Sequence, residues 1–288
     1  MNTTAPLLAL LTILLWSTLA LGGAALNQLP PFLLVGAALS VSGLTAFVRR
    51  EGWRVSPLIL LVGVGGIFGY HFLYFRAFAY APAIEANLIN YLWPLLIVVL
   101  SPLFLTGYRL QRRHIAGALL GLSGAGLIAS GGRFSFQAAY LPGYLLAAAA
   151  ALTWASYSLL TKRLPPFPTA AVGPFCLLSG ILALTLHFVI GGGLADLAAL
   201  EPRHWLFILL IGAGPMGAAF FTWDAALKRG DPRVIGSLAY LTPLLSTLNL
   251  VLFAGQSLTW VSILAMSLII LGALVGSGSS LARRTDSG

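Results

Sequence analysis

Ten apolar runs of roughly twenty residues, separated by short connections, take up most of this 288-residue sequence. That feature leaves few options for folding. Every peptide unit in such a run carries a donor and an acceptor, and an apolar surrounding offers neither a partner. The helix satisfies them internally, and about 20 residues of helix match the thickness of a bilayer core. Only 8% of the residues are charged, against roughly 25% in a soluble domain. So little charge cannot keep a globule of this size in water, and lipid is the alternative solvent. The expected fold is therefore all-α, a polytopic membrane protein of ten transmembrane helices.

The spans are expected near 7–26, 31–48, 58–79, 84–105, 114–131, 141–161, 169–190, 204–227, 234–254 and 259–278. Prolines punctuate them: Pro30 and Pro31 before the second, Pro57 opening the third, Pro82 at the turn into the fourth. The seventh is the weakest, because Pro174 and His187 interrupt it. Met1–Pro6 has no charged n-region and no small-residue cleavage site follows it, so the first run reads as a retained helix.

Basic residues give the direction. The connections after the even-numbered spans, with the C-terminal tail, hold 13 of the 16 Lys and Arg, among them Arg49, Arg50, Arg109, Arg112, Lys162, Lys228, Arg283 and Arg284. Arg133 and Arg203 alone lie in the odd-numbered ones. The excess belongs on the cytoplasmic side, which puts both termini there. The net charge of +9 is thus a topology signal, and no nucleic-acid partner is expected. Membrane lipid is.

The chain also repeats itself. Residues 58–66 (LILLVGVGG) recur 149 positions later as 207–215 (FILLIGAGP), and Tyr91, Pro94, Leu95, Leu96 and Phe104 recur as Tyr240, Pro243, Leu244, Leu245 and Phe253. Leu15–Trp16 and Thr153–Trp154 echo one another more weakly. An odd number of helices per copy makes the copies run in opposite senses. Residues 1–135 and 136–288 are read as two inverted five-helix repeats forming one transmembrane domain around a central cavity. Such repeats offer two packings of similar energy, as alternating access requires. Pure structure without transport also arises by duplication, so a non-transporting scaffold stays as an alternative.

No bond-making chemistry is indicated. There is no metal or nucleotide motif, no paired catalytic carboxylate, and Cys176 is the only cysteine. No enzyme activity, metal or cofactor is expected. The polar residues inside the spans are the candidates. Asn87, Asn90, Tyr91 and Pro94 share one helix face, and amides in lipid need partners. Helix–helix glue would satisfy them; cavity lining is preferred here, because Pro94 frees backbone carbonyls nearby. Pro243 marks the matching break in the second copy. His71, Tyr74 and Phe78 form a stripe open to either packing or cavity lining. Trp16, Trp154, Tyr157, Trp223 and Tyr240 sit near helix mid-sections, where they suit a planar ligand or a core. Arg76 either pairs with Glu85 at the rim, or anchors the third span in the outer leaflet, or draws a substrate carboxylate to the mouth. Asp224 either pairs with Lys228 one turn on or meets a substrate ammonium or a coupled proton. Gly117 and Gly121 form a G-x-x-x-G packing surface.

Trp16–Ser17, the segment FRAFAYAPAIEANLINYLWPLL at 75–96, GALLGLSGAGLI at 117–128 and the Tyr240–Pro243 counterpart together resemble the drug/metabolite transporter superfamily, in the branch with two EamA-type repeats. The resemblance covers nearly the whole chain. The Asn87-x-x-Asn90-Tyr91-x-Trp93-Pro94 pattern beside Tyr74-x-Arg76-Ala77 is most similar to the bacterial aromatic amino-acid exporters. That likeness implies a monomer in a bacterial inner membrane exporting amino acids, aromatic and other apolar ones. Relatives that move drugs or nucleoside-type metabolites keep an alternative cargo open. The second copy departs from the pattern, with Thr242 for Trp93 and with Gly236 and Ala239 for the two Asn, so the halves of the cavity are expected to be unequal.

Overall fold

A computed structural model of the protein describes residues 4–21 and 29–277. Nine helices among them are long and apolar enough to cross a membrane: α1 Thr4–Leu21, α2 Pro31–Val48, α3 Pro57–Ala77, α4 Ala83–Phe104, α6 Ala138–Arg163, α7 Thr169–Val189, α8 Pro202–Arg229, α9 Pro232–Ala254 and α10 Trp260–Ser277. Helix α5, Arg112–Ser130, completes the ten. Its first turn carries Arg112, Arg113 and His114 and its body carries four glycines, which lowers its hydropathy without shortening it. The expected end of the first span near 26 and the basic pair Arg283 and Arg284 lie outside the described residues.

The helices begin and end where the sequence provides for it. Ser56 caps α3, its hydroxyl accepting from Ile59 N–H, with Pro57 in the first turn. Asp231 does the same for α9, accepting from Arg233 N–H ahead of Pro232. Helix α7 is not interrupted. Its α-helical part begins at Val172, after a 3-10 turn over Thr169–Ala171, so Pro174 falls in the first α-helical turn, where an N–H has no intrahelical acceptor to lose, and His187 lies in the last turn. Helices α4 and α9 do break, at Tyr91 and Tyr240. In each, the proline three residues on has no N–H for the carbonyl one turn back.

Neighbours recur in pairs when the two halves are exchanged. Helix α3 packs on α6 as α8 packs on α1; α4 packs on α6 as α9 packs on α1; α3 packs on α7 as α8 packs on α2. Helices α2 and α7 pack on each other, as do α5 and α10, and α4 meets α9. This is a pseudo-twofold arrangement of two intertwined, inverted five-helix repeats.

Close approach is bought with glycine in the α5–α10 seam. A Cβ on Gly117 would lie 2.5 Å from the Gly276 nitrogen, and one on Gly272 would lie 2.6 Å from the Gly117 carbonyl oxygen. The expected G-x-x-x-G surface therefore meets a second one, Gly272-x-x-x-Gly276, backbone to backbone. Gly117→Leu should force these helices apart and destabilise the bundle by at least about 1–3 kcal/mol. Thermal unfolding in detergent would show it as a lowered midpoint; an unchanged midpoint would mean that the seam is loose.

The basic connections gather at one end of the bundle. Lys162 Nζ, at the end of α6, donates to the carbonyls of Leu227 (2.9 Å), Lys228 (3.3 Å) and Gly230 (2.7 Å), the last of them just past α8. Arg233 hydrogen-bonds to the Arg109 carbonyl and lies 5.0 Å from the centre of the Tyr108 ring. Burial alone would push the Asp231 carboxyl up, but the hydrogen bonds and charge of Arg233 outweigh it and hold its pKa below the usual value.

Candidate functional site

Helix α3 supplies Tyr70 and Tyr74, one turn apart, and α4 supplies Asn87, Asn90 and Tyr91 opposite them. Tyr74 Oη donates to Asn87 Oδ1 at 2.9 Å, and Asn90 Nδ2 donates to Tyr70 Oη at 3.1 Å. The two phenol rings stack, 5.7 Å apart and 8° from parallel. Asn90 is 4% exposed, yet its Oδ1 accepts nothing from the protein. Tyr70, Tyr74, Asn87 and Tyr91 are half-buried. With Asn90 they make a polar wall of five side chains whose hydrogen-bonding capacity is only partly used.

Beside that wall lies an indole cluster. Trp16 of α1 contacts Trp93 of α4 (5.9 Å between ring centres), Trp154 of α6 (5.9 Å) and Trp223 of α8 (5.1 Å). Trp93 in turn meets Trp154 and Trp223, and Phe220 packs against Trp16 and Trp154. Tyr70 joins the two groups, its ring 5.1 Å from Trp154. One indole from each of four helices thus converges, and most of the contacts are edge-to-face, the geometry that ring quadrupoles favour. Trp223 Nε1 donates to Ser158 Oγ at 3.1 Å.

Trp16 Nε1 donates to the Pro215 carbonyl at 3.1 Å. That carbonyl belongs to a π-turn, Gly214–Ala218, in the middle of α8. The matching stretch of α3 is continuous α-helix, so the duplication is unequal at this point. π-turns occur often at functional sites.

The remaining candidates are placed as follows. Phe78 packs edge-on against Tyr74 at 4.7 Å. His71 is buried, with Nδ1 2.7 Å from its own helix's Ile67 carbonyl and its ring against Phe75 and Phe220. Tyr157 is buried against Trp154 and lies over Gly66. Tyr240 is fully buried, and its hydroxyl reaches the backbone of α4. Arg76 and Glu85 do not pair. Arg76 donates to Tyr80 Oη at 2.8 Å, and Glu85 accepts from Tyr144 Oη, tying the start of α4 to α6 instead. Asp224 does pair with Lys228, at 2.7 Å, and also accepts from Thr169 Oγ1 at 2.7 Å.

Sequence reasoning passed over Tyr70, Trp93 and Phe220. Tyr70 had a signal, since it stands one turn before Tyr74 on the same face. Trp93 lay inside the quoted motif. A further polar contact, Asn249 Nδ2 to Ser17 Oγ at 3.1 Å, joins α9 to α1 and had no signal beyond two polar residues in apolar runs. A separate cavity of about 370 Å³ lies at the basic end, lined by Tyr108, Lys162, Arg229, Asp231 and Arg233 among others. Among the described residues no group of acidic, His or Cys side chains is arranged to hold a metal ion.

Comparison with known proteins agrees with this architecture. The model of the EamA-like transporter family matches residues 3–130 and again residues 141–277. The chain is 41% identical to the aromatic amino acid exporter YddG of Ancylobacter novellus, over 98% of this chain and 99% of that one. It is 26% identical to a probable amino-acid metabolite efflux pump of Salmonella typhimurium, over 96% of each. A solved crystal structure with 40% identity superposes over the whole of both chains with a TM-score of 0.89. The two family matches fall on the two five-helix halves, and the chain is a membrane transporter of the EamA-like family, within the drug/metabolite transporter superfamily.

Proposed function

We propose that this chain exports amino acids, aromatic and other apolar ones, by alternating access, as a monomer in a bacterial inner membrane with both termini cytoplasmic. The observation that carries the reading is the junction of two unlike surfaces at Tyr70. On one side stand amides and phenols with capacity to spare; on the other stand four indoles. A small zwitterion with a flat side chain needs that combination. Asn90 Oδ1 would accept from the substrate ammonium, with Asn87, Tyr74 and Tyr91 around it. Trp16, Trp93, Trp154 and Trp223 would take the ring. His71, Phe78 and Tyr157 would back these residues rather than touch the ligand. The names of the relatives, exporters of aromatic amino acids and of amino-acid metabolites, point the same way.

Roles for the charged residues follow. Arg76, beside Tyr80 at the end opposite the basic connections, would draw a carboxylate to the outer mouth. Glu85, through Tyr144, would hold that mouth closed between α4 and α6. Asp224, with Lys228, would close the cytoplasmic end. Pro94 and Pro243 would let α4 and α9 flex between the two states, and the boundary between repeats would fall at residues 135–136.

The indoles provide their own readout. Titrating purified protein with L-tryptophan analogues that do not fluoresce, L-phenylalanine and L-alanine should quench or shift tryptophan emission in the order of ring size. Trp154→Ala should weaken binding of phenylalanine roughly 2- to 12-fold, the worth of one aromatic contact, and leave alanine nearly unaffected. Equal losses for both amino acids would remove the indoles from the binding surface. A response to nucleosides or cationic drugs with none to amino acids would shift the cargo and keep the fold.

A further inference from the structure

Pro94 breaks α4 as Pro243 breaks α9, but only the turn in α4 is filled by a side chain. Pro94 lacks an N–H, which frees the Asn90 carbonyl. The next rung of the ladder, Leu95 N–H to the Tyr91 carbonyl, could still close. Instead the Tyr240 hydroxyl stands between the two. Leu95 N–H donates to Tyr240 Oη at 3.1 Å, and Tyr240 Oη donates to the Tyr91 carbonyl at 3.1 Å. One hydroxyl on α9 thus satisfies both ends of an opened helical hydrogen bond on α4, and two successive rungs are absent at the turn that carries Asn90 and Tyr91.

The wedge has a fitted seat. Tyr240 is fully buried, and its ring lies over Gly121 of α5, where a Cβ would stand 2.4 Å from it. The wedge is also one-sided. Tyr91 is the repeat counterpart of Tyr240, and the matching rung of α9, Leu244 N–H to the Tyr240 carbonyl, is open at similar backbone angles, yet no side chain among the described residues fills it. A duplicated tyrosine therefore serves two purposes: in the first copy it belongs to the polar wall, and in the second it fills the open turn of the wall's helix.

We propose that Tyr240 is a positioning residue of the site: its hydroxyl, bonded to both ends of the open rung, fixes the bend of the α4 turn and thereby sets the Asn90 amide against Tyr70. It touches no substrate. Without the hydroxyl, Leu95 N–H and the Tyr91 carbonyl lose their common partner, the turn is as free to bend as the unfilled one of α9, and Asn90 leaves its partner. The inference rests on the substrate reading above for its transport consequences, but the hinge geometry stands apart from it.

Tyr240→Phe keeps the ring in its seat and removes only the wedge. In proteoliposomes loaded with radiolabelled L-phenylalanine, this variant should show KM raised about tenfold with Vmax changed less than twofold, the pattern of a lost binding interaction. In an Asn90→Ala background the same change should add almost nothing, because both act on one amide. Gly121→Ala, which displaces the ring and withdraws the hydroxyl, should reproduce the phenotype with Tyr240 intact. A wild-type KM in Tyr240→Phe, or a full tenfold effect persisting in the Asn90→Ala background, would overturn the proposal. Spin labels at Ile84 and Leu103, both exposed near the ends of α4, test the hinge without any substrate. Tyr240→Phe should broaden and shift the distribution of their separation, and an unchanged distribution would also overturn it. Failure of wild type to move phenylalanine, with the distance shift present, would instead indict the substrate reading and leave the hinge in place.

Discussion

Lys228→Met is expected to destabilise the protein by about 3–5 kcal/mol, the cost of leaving a buried charge without its partner. Asp224 is 1% exposed. Its Oδ2 accepts from Lys228 Nζ at 2.7 Å and from Thr169 Oγ1 at 2.7 Å, and its Oδ1 accepts from nothing. The ammonium also donates to the Phe167 carbonyl at 3.1 Å and lies 3.5 Å from the centre of that ring. Removing it strands a carboxylate with one hydroxyl for company. It also unties α8 from the connection between α6 and α7. Adding Asp224→Asn should recover most of the loss, since the neutral amide no longer needs a counter-charge. Thermal or denaturant unfolding in detergent decides this. A Lys228→Met variant as stable as wild type, or a double variant worse than the single one, would show that the pair holds little.

Asn90→Ala is the corresponding test of the site. A buried amide in a site built to hydrogen-bond is worth roughly 1–3 kcal/mol, which is about a 5- to 150-fold loss of affinity. The loss should be similar for every amino acid, because the amide is assigned to the common zwitterionic end. Trp154→Ala, by contrast, should discriminate by ring size. The difference between the two patterns separates a recognition amide from helix glue, which would lower stability and leave affinity alone.

The spans were legible because hydropathy and helix length are local properties. Every expected span has its helix, and the breaks at Tyr91 and Tyr240 follow from Pro94 and Pro243 as the chemistry of proline requires. The polar face of Asn87, Asn90 and Tyr91 was legible for the same reason, being set by the helical repeat of one segment. What escaped depends on packing between segments. Arg76 and Glu85 are nine residues apart across a tight turn, and nothing local says that Tyr80 and Tyr144 take them instead. The π-turn at Gly214–Ala218 sits where the first copy has Gly65–Gly69, and a match of glycines hid the difference that Pro215 makes. In the sequence Tyr240 is one more aromatic near a helix mid-section, where a planar ligand and a packed core are equally open to it. Only the contact of α4 with α9 reveals that it points into the other helix. Trp93 shows the opposite case: it stood within a recognised pattern, but its place among four indoles needed four helices to be brought together.

The central claim is that the junction of amide wall and indole cluster carries amino acids across the membrane. Its most direct measurement is efflux from proteoliposomes containing the purified wild-type chain, loaded in turn with phenylalanine, tryptophan, methionine, alanine, a nucleoside and a cationic drug, with Asn90→Ala run in parallel. The account predicts protein-dependent, saturable flux of the aromatic and apolar amino acids, little of the nucleoside or drug, and a raised KM for all amino acids in Asn90→Ala. Flux of the nucleoside or drug without the amino acids, or amino-acid flux with wild-type KM in Asn90→Ala, would contradict it.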